Sequence, residues 1–107
     1  MSSERRESTR HQYTLPLRYT RGGNRVFSGR TIDLSQTGAR LILDGTASSP
    51  NLLTLELGGK VTLLARTVWA ERLPDGQQLV GVTFEGMNSG QRVAVADYLS
   101  ELISRAA

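Results

Sequence analysis

Six short apolar runs, each stopped by turn-forming residues, constrain this chain more than any other feature. Tyr13 to Tyr19 alternates Tyr13, Leu15, Leu17 and Tyr19 against polar neighbours, as a half-buried strand does. Pro16 falls inside it, which predicts an edge strand or a bulge. Arg21-Gly22-Gly23-Asn24 reads as a turn. Further strands are predicted at Arg25 to Leu34, Ala39 to Leu43, Leu52 to Leu57, Val61 to Glu71 and Gln78 to Phe84. Between them lie a Ser-, Gly- and Pro-rich loop (Asp44 to Asn51), a compact hairpin turn at Leu57-Gly58-Gly59-Lys60, and a turn at Pro74-Asp75-Gly76. Short strands joined at this frequency favour an all-β sandwich or barrel, and a barrel removes exposed sheet edges.

The two ends differ from this middle. Residues up to about Gln12 are polar and charged with no apolar face, and read as a flexible basic arm. The remainder, 13–107, reads as one domain, since 107 residues suit a single core. At the C-terminus Val95, Tyr98, Leu99, Leu102 and Ile103 recur at helical spacing, with Ser89 as the expected N-cap. This predicts a helix that plugs one end or side of the β-structure. A surface for a partner or a second copy is the alternative use of that face.

Charge is unevenly spread. Through Arg40 the chain carries Arg5, Arg6, Arg10, Arg18, Arg21, Arg25, Arg30 and Arg40 against Glu4, Glu7 and Asp33. Beyond it, Lys60, Arg66, Arg72, Arg92 and Arg105 face seven acids, so a net charge of +3 hides a basic first third. Arginine's planar fork suits bidentate contact with phosphate and with guanine O6/N7, and it stacks on rings. An anionic partner follows, and a guanine nucleotide is compatible with it.

Catalysis is hard to assemble from these residues. His11 is the only histidine and falls in the arm. A Ser35–His11–Asp33 relay has nothing to fix the imidazole. No cluster of metal ligands and no phosphate loop of the Walker type is visible. There is no cysteine. No run approaches the roughly 18 apolar residues of a membrane span, and no apolar stretch follows Met1 as in a secretory signal. The expectation is a cytoplasmic, non-enzymatic protein without metal or cofactor.

Asp33-Leu34-Ser35-Gln36-Thr37-Gly38 lies between two of the predicted strands. Asp33 and Ser35 are two apart and share a face if the strand continues, while Leu34 takes the other. By itself the segment reads equally as a corner in which Asp and Ser bond their own backbone. Upstream, Arg6 and Arg10 stand in an R-x-x-x-R spacing. R-x-x-x-R followed by D-x-S-x-x-G resembles the PilZ domain, a bacterial receptor for cyclic di-GMP. Ala65-Arg66-Thr67-Val68-Trp69, Val80-Gly81-Val82-Thr83-Phe84 and the closing helix resemble the rest of that domain.

The resemblance implies a six-stranded antiparallel β-barrel with a C-terminal α-helix and an N-terminal arm whose Arg6 and Arg10 swing onto ligand at the barrel surface. The implied site is Arg5, Arg6, Arg10, Asp33, Ser35 and Gly38, with Arg40 as an auxiliary contact. Asp33 can accept from guanine N1–H and N2–H₂, Ser35 can donate to a phosphate or base edge, and Gly38 allows close approach. In the family, arginine at the position of Arg5 goes with an intercalated pair of ligand molecules. Trp69 is expected in the barrel core beside Phe84, with a rim position as the alternative. The function implied is a receptor that orders its arm on cyclic di-GMP and signals through a protein effector. The alternatives are an interaction module in motility, pilus or envelope assembly, and, ranked last, a basic barrel for single-stranded nucleic acid, which needs more stacking aromatics than are free here.

Overall fold

The computed structural model describes residues 11–12, 14–20, 25–44 and 51–106. In chain order its elements are β1 (His11–Gln12), β2 (Pro16–Thr20), β3 (Phe27–Leu34), β4 (Gly38–Leu43), β5 (Leu52–Leu57), β6 (Val61–Arg72), β7 (Gln78–Glu85) and α1 (Ser89–Ala106). The six expected strands are β2 to β7. They pair antiparallel in the order β3-β2-β5-β6-β7-β4, and β4 returns to β3, so the ring closes as a barrel. The expected turn at Arg21 to Asn24 and most of the loop from Asp44 lie outside the described residues, as does Tyr13.

Alternation decides which side chains fill the ring. Leu17 and Tyr19 of β2, Ala39, Leu41 and Leu43 of β4, Leu53, Leu55 and Leu57 of β5, Val61, Leu63 and Ala65 of β6, and Val80 and Val82 of β7 form one buried cluster. Fully burying a leucine contributes about 1.5–3 kcal/mol, so this inward set accounts for the closure. Helix α1 adds Val95, Tyr98 and Leu99 to the same cluster, and the Tyr98 hydroxyl donates to the Leu57 carbonyl at 2.7 Å. The expected plug is therefore present. Its backbone continues through Leu102 and Ile103, whose side chains lie outside what is described.

The helix begins differently from expectation. The Gln91 amide donates to Asn88 Oδ1 at 2.8 Å, and the Asn88 amide donates to Gln91 Oε1 at 2.9 Å. This reciprocal pair is a capping box with Asn88 as N-cap, so Ser89 is the first helical residue. Gln91 Nε2 also donates to the Thr62 carbonyl at 2.8 Å, which ties the helix start to β6. Pro16 is likewise neither on an edge nor in a bulge. It opens β2, a strand with neighbours on both sides, and the first position is one where a missing N–H is tolerated.

Three features position the motif. Strand β1, read from sequence as the end of the arm, pairs with the end of β3: His11 opposite Leu34 and Gln12 opposite Asp33. Because β4 occupies the other edge there, β1 and β2 share one edge of β3. Second, the β3–β4 register slips between Thr31 and Asp33, leaving Ile32 as a bulge. Thr31 is opposite the core residue Leu41 and faces inward, whereas Asp33 is opposite Arg40 on the outer face. Without the bulge, Asp33 would follow Thr31 into the core. Third, a similar slip between Thr67 and Trp69 turns the end of β6 over.

Candidate ligand-binding site

The D-x-S-x-x-G segment is the β3–β4 corner. The Ser35 amide donates to the Gly38 carbonyl at 2.9 Å, and the Ser35 hydroxyl lies 3.2 Å from the same carbonyl. The amides of Gly38 and Thr37 donate to Ser35 Oγ at 3.2 and 3.3 Å. A hydroxyl has one proton to give and two lone pairs, and this corner uses all three. Ser35 is buried and acts here as the staple of the turn. Gly38 serves a neighbouring strand: a Cβ built on it would stand 2.2 Å from the Val82 carbonyl oxygen. The close approach it permits is between β4 and β7.

Asp33 is 2% exposed although it sits on the outer face. The Arg40 amide donates to its Oδ1 at 3.1 Å and Arg40 Nε to its Oδ2 at 2.6 Å. Burying a carboxylate needs this kind of charge-assisted pairing. Register extends the pair into a row across four strands and β1. Gln12 is opposite Asp33, Asp33 opposite Arg40, Arg40 opposite Gly81, and Gly81 opposite Trp69.

Trp69 is the principal correction to the sequence reading. It is outside the core cluster, 41% exposed, and lies on the outer face over Gly81. A Cβ on Gly81 would meet Trp69 Nε1 at 2.3 Å, so the glycine is the seat of the indole. Sequence reasoning missed this seat. The signal was present in Val80-Gly81-Val82, where glycine takes the outward position between two core valines, a pattern that marks close approach in a strand.

Arg5, Arg6 and Arg10 lie outside the described residues, so of the expected site Asp33, Ser35, Gly38 and Arg40 are seen together. Strand β1 begins at the residue after Arg10 and pairs with the Asp33 end of the row. The Arg66–Glu85 pair, at 2.9 Å, is off this row. Hydrogen bonding and then the charge of Glu85 raise the Arg66 pKa above its ordinary value, which leaves an already permanent cation unchanged. Two shallow pockets of about 200 and 260 Å³ follow β2 and β5, share Arg18 and Glu56, and contain no residue of the motif. Among the described residues, no group of three or more His, Asp or Glu could hold a metal, and no helix is long and apolar enough to cross a membrane.

Comparison with solved structures extends this picture. The PilZ domain of YcgR from Escherichia coli, solved with c-di-GMP, superposes with a TM-score of 0.77 at 13% identity, covering 96% of this chain and 95% of that one. The PilZ domain of CeSA from a cellulose-synthesizing bacterium gives 0.64 at 23% identity, over 88% and 97%. The Bacillus subtilis inhibitor of motility MotI/DgrA gives 0.72 at 14% identity, and the 97% of this chain that aligns spans 54% of that longer chain. At these identities the likeness concerns the fold. No curated protein matches the sequence. The family model of the PilZ domain, however, matches residues 4–101, taking in the R-x-x-x-R arm, the stapled corner, the barrel and most of the helix, and on that match the chain belongs to the PilZ domain family.

Proposed function

We propose that this chain is a cyclic di-GMP receptor that binds its ligand along the Asp33–Arg40–Gly81–Trp69 row, with the arginines of the arm closing over it, and that it signals to a protein effector without catalysis. The observation that carries the reading is β1. It pairs Gln12, two residues after the last arginine of R-x-x-x-R, with Asp33 of D-x-S-x-x-G, which supports a site shared by the two halves of the motif. The chemistry agrees, because a dianionic guanine dinucleotide offers phosphates and O6/N7 edges to a surface rich in arginine. A row on the convex outside of a barrel offers little enclosure, so a clamp contributed by the arm supplies what a pocket otherwise would.

Calorimetric titration with cyclic di-GMP, GTP and a single-stranded oligonucleotide tests this. Binding of cyclic di-GMP alone is expected, with one or two molecules per chain; two would agree with Arg5 favouring an intercalated pair. Binding of the oligonucleotide alone would reject the reading in favour of the nucleic-acid barrel. Silence toward all three would favour an interaction module. For that module the exposed neighbours Val68 and Trp69, at the β6 bulge, form an apolar contact point.

Arm closure has its own test. The segment before β1 has no apolar face, so its ordering must be offset by ligand contacts. With β1 already paired, closing Arg5 to Arg10 costs on the order of 6–12 kcal/mol at about 1–2 per residue. Met1 to Glu4 adds cost without adding a cation and is expected to stay loose. Trypsin cuts after Arg5, Arg6, Arg10 and Arg21. Saturating cyclic di-GMP is expected to slow the first three cuts far more than the cut after Arg21. Equal protection of all four, or of none while binding is confirmed, would show that the arm does not close. The surface made by a closed arm beside ligand is what a protein effector would recognise.

A further inference from the structure

We propose that two copies of this chain associate through β6, pairing antiparallel along residues 68–72 about a twofold axis at Ala70. This goes beyond the function proposed above and needs no ligand.

The seam is a sheet edge that the barrel leaves open. Strand β6 has twelve residues and β5 six. β5 accompanies β6 only as far as Arg66, which faces Leu52, and one further bond runs from the Thr67 amide to the Asn51 carbonyl at 2.9 Å. On the other side β7 follows β6 to its end, where Arg72 faces Gln78. Residues 68–71 therefore have a strand neighbour on one side alone among the described residues. A strand directs its N–H and C=O groups to both sides in turn, so this edge offers backbone donors and acceptors to a further strand. Side chains from Val68 to Arg72 are all exposed, Val68 by 65%. Natural edges are commonly blunted with lysine or proline. Here the sole lysine is Lys60, and no proline comes before Pro74. The indole of Trp69 lies back over Gly81, toward β7, and so does not cover the edge.

The order of residues along the edge makes a second copy the fitting strand. A twofold axis normal to the sheet keeps the two outer faces on one side, so it passes through one residue, which then faces itself. An axis at Glu71 or Arg72 sets like charges opposite each other, which is destabilising. An axis at Val68 or Trp69 allows only a shorter seam, because Asn51 already holds Thr67. The axis at Ala70 escapes both objections. Two alanine methyls then meet at the centre. Trp69 faces Glu71 of the second copy, whose carboxylate suits the positive edge of the indole. Val68 lies against the aliphatic stem of Arg72 of the second copy.

A seam this short falls below the roughly 1,200 Å² of stable interfaces, so the association is weak. Trp69 also stands in the row proposed to take ligand, and the test therefore omits ligand. In sedimentation equilibrium the parent is expected to pass from monomer at about 10 µM toward dimer at about 1 mM. Ala70→Lys and Ala70→Glu, each first checked by thermal melting, set like charges on the axis and are expected to stay monomeric at the highest concentration. An equimolar mixture of the two faces lysine with glutamate and is expected to recover the dimer. Three results would overturn the proposal: a parent that is monomeric throughout, single variants that associate like the parent, or a mixture no heavier than its components. For a monomeric parent, hydrogen exchange at residues 68–71 says what stands in place of the second copy. Slow exchange would mean that the chain's own residues 45–50 cover the edge, and fast exchange that it is left for a strand of an effector; either rejects the second copy.

Discussion

Replacing Gly38 by alanine is expected to destabilise the barrel at or beyond the upper end of the roughly 1–3 kcal/mol typical of overpacking. The added Cβ would stand 2.2 Å from the Val82 carbonyl oxygen and 3.3 Å from the Thr83 Cα. Both obstacles are backbone, so no rotamer change relieves them. Gly38 is paired with Thr83 at the start of β4, and pushing β4 from β7 opens the ring beside the stapled corner. A loss of about 3 kcal/mol in a domain of this size lowers Tm by roughly 12–24 °C. Gly90→Ala is the control of opposite sign. Its Cβ would rest 3.4 Å from Asn88 Oδ1 in the first turn of α1, and removing a helical glycine stabilises by about 0.5–1 kcal/mol. A Gly38→Ala protein that melts with the parent would mean that β4 and β7 do not pack at this separation.

That prediction bears on how a family motif is read. Ser35 and Gly38 look from the sequence like ligand contacts, and the geometry gives both of them structural work. Ser35 spends its donor and both acceptors on the corner, and Gly38 admits β7. The even division between a corner and a binding face was therefore not a choice between exclusive readings. The corner holds the β3–β4 register, and the register puts Asp33 opposite Arg40. Substituting Ser35 or Gly38 would impair binding through the fold, without either side chain having to touch ligand.

The strands were legible because one continuous inward set, from Leu17 to Val82, repeats with a period of two. Closure was legible only as a tendency, since no local pattern announces that β4 returns to β3. The bulges were invisible for a definite reason. Val61, Leu63, Ala65, Thr67 and Trp69 occupy every second position, so alternation sends Trp69 inward with the rest. The slip at Val68 shifts the phase by one residue and puts the indole outside, over Gly81. The same slip at Ile32 separates Thr31 from Asp33. A period-two reading cannot register an inserted residue whose flanks remain in pattern, and both bulges lie beside the row proposed to take ligand. Such irregularities tend to re-aim side chains near functional sites.

Arg6→Ala and Arg10→Ala are each expected to weaken cyclic di-GMP binding by about ten- to hundred-fold, since each removes a charge-assisted contact worth on the order of 1.5–3 kcal/mol. Both lie in a polar, charged segment with no apolar face in its sequence, so thermal melting without ligand should match the parent. The double variant is the more informative protein. If the two arginines acted independently, their losses would multiply. Closure of Arg5 to Arg10 is instead a single ordering step costing on the order of 6–12 kcal/mol, close to what a few arginine contacts and base stacking can offset. Losing one contact tips that balance toward the open arm, and the second arginine then has little left to contribute. The double variant is therefore expected to fall well short of the product of the single losses and to retain the residual affinity of the barrel row alone. Single variants that bind like the parent would remove the arm from the site. Losses that multiply fully would mean that Arg6 and Arg10 contact the ligand without a concerted closure.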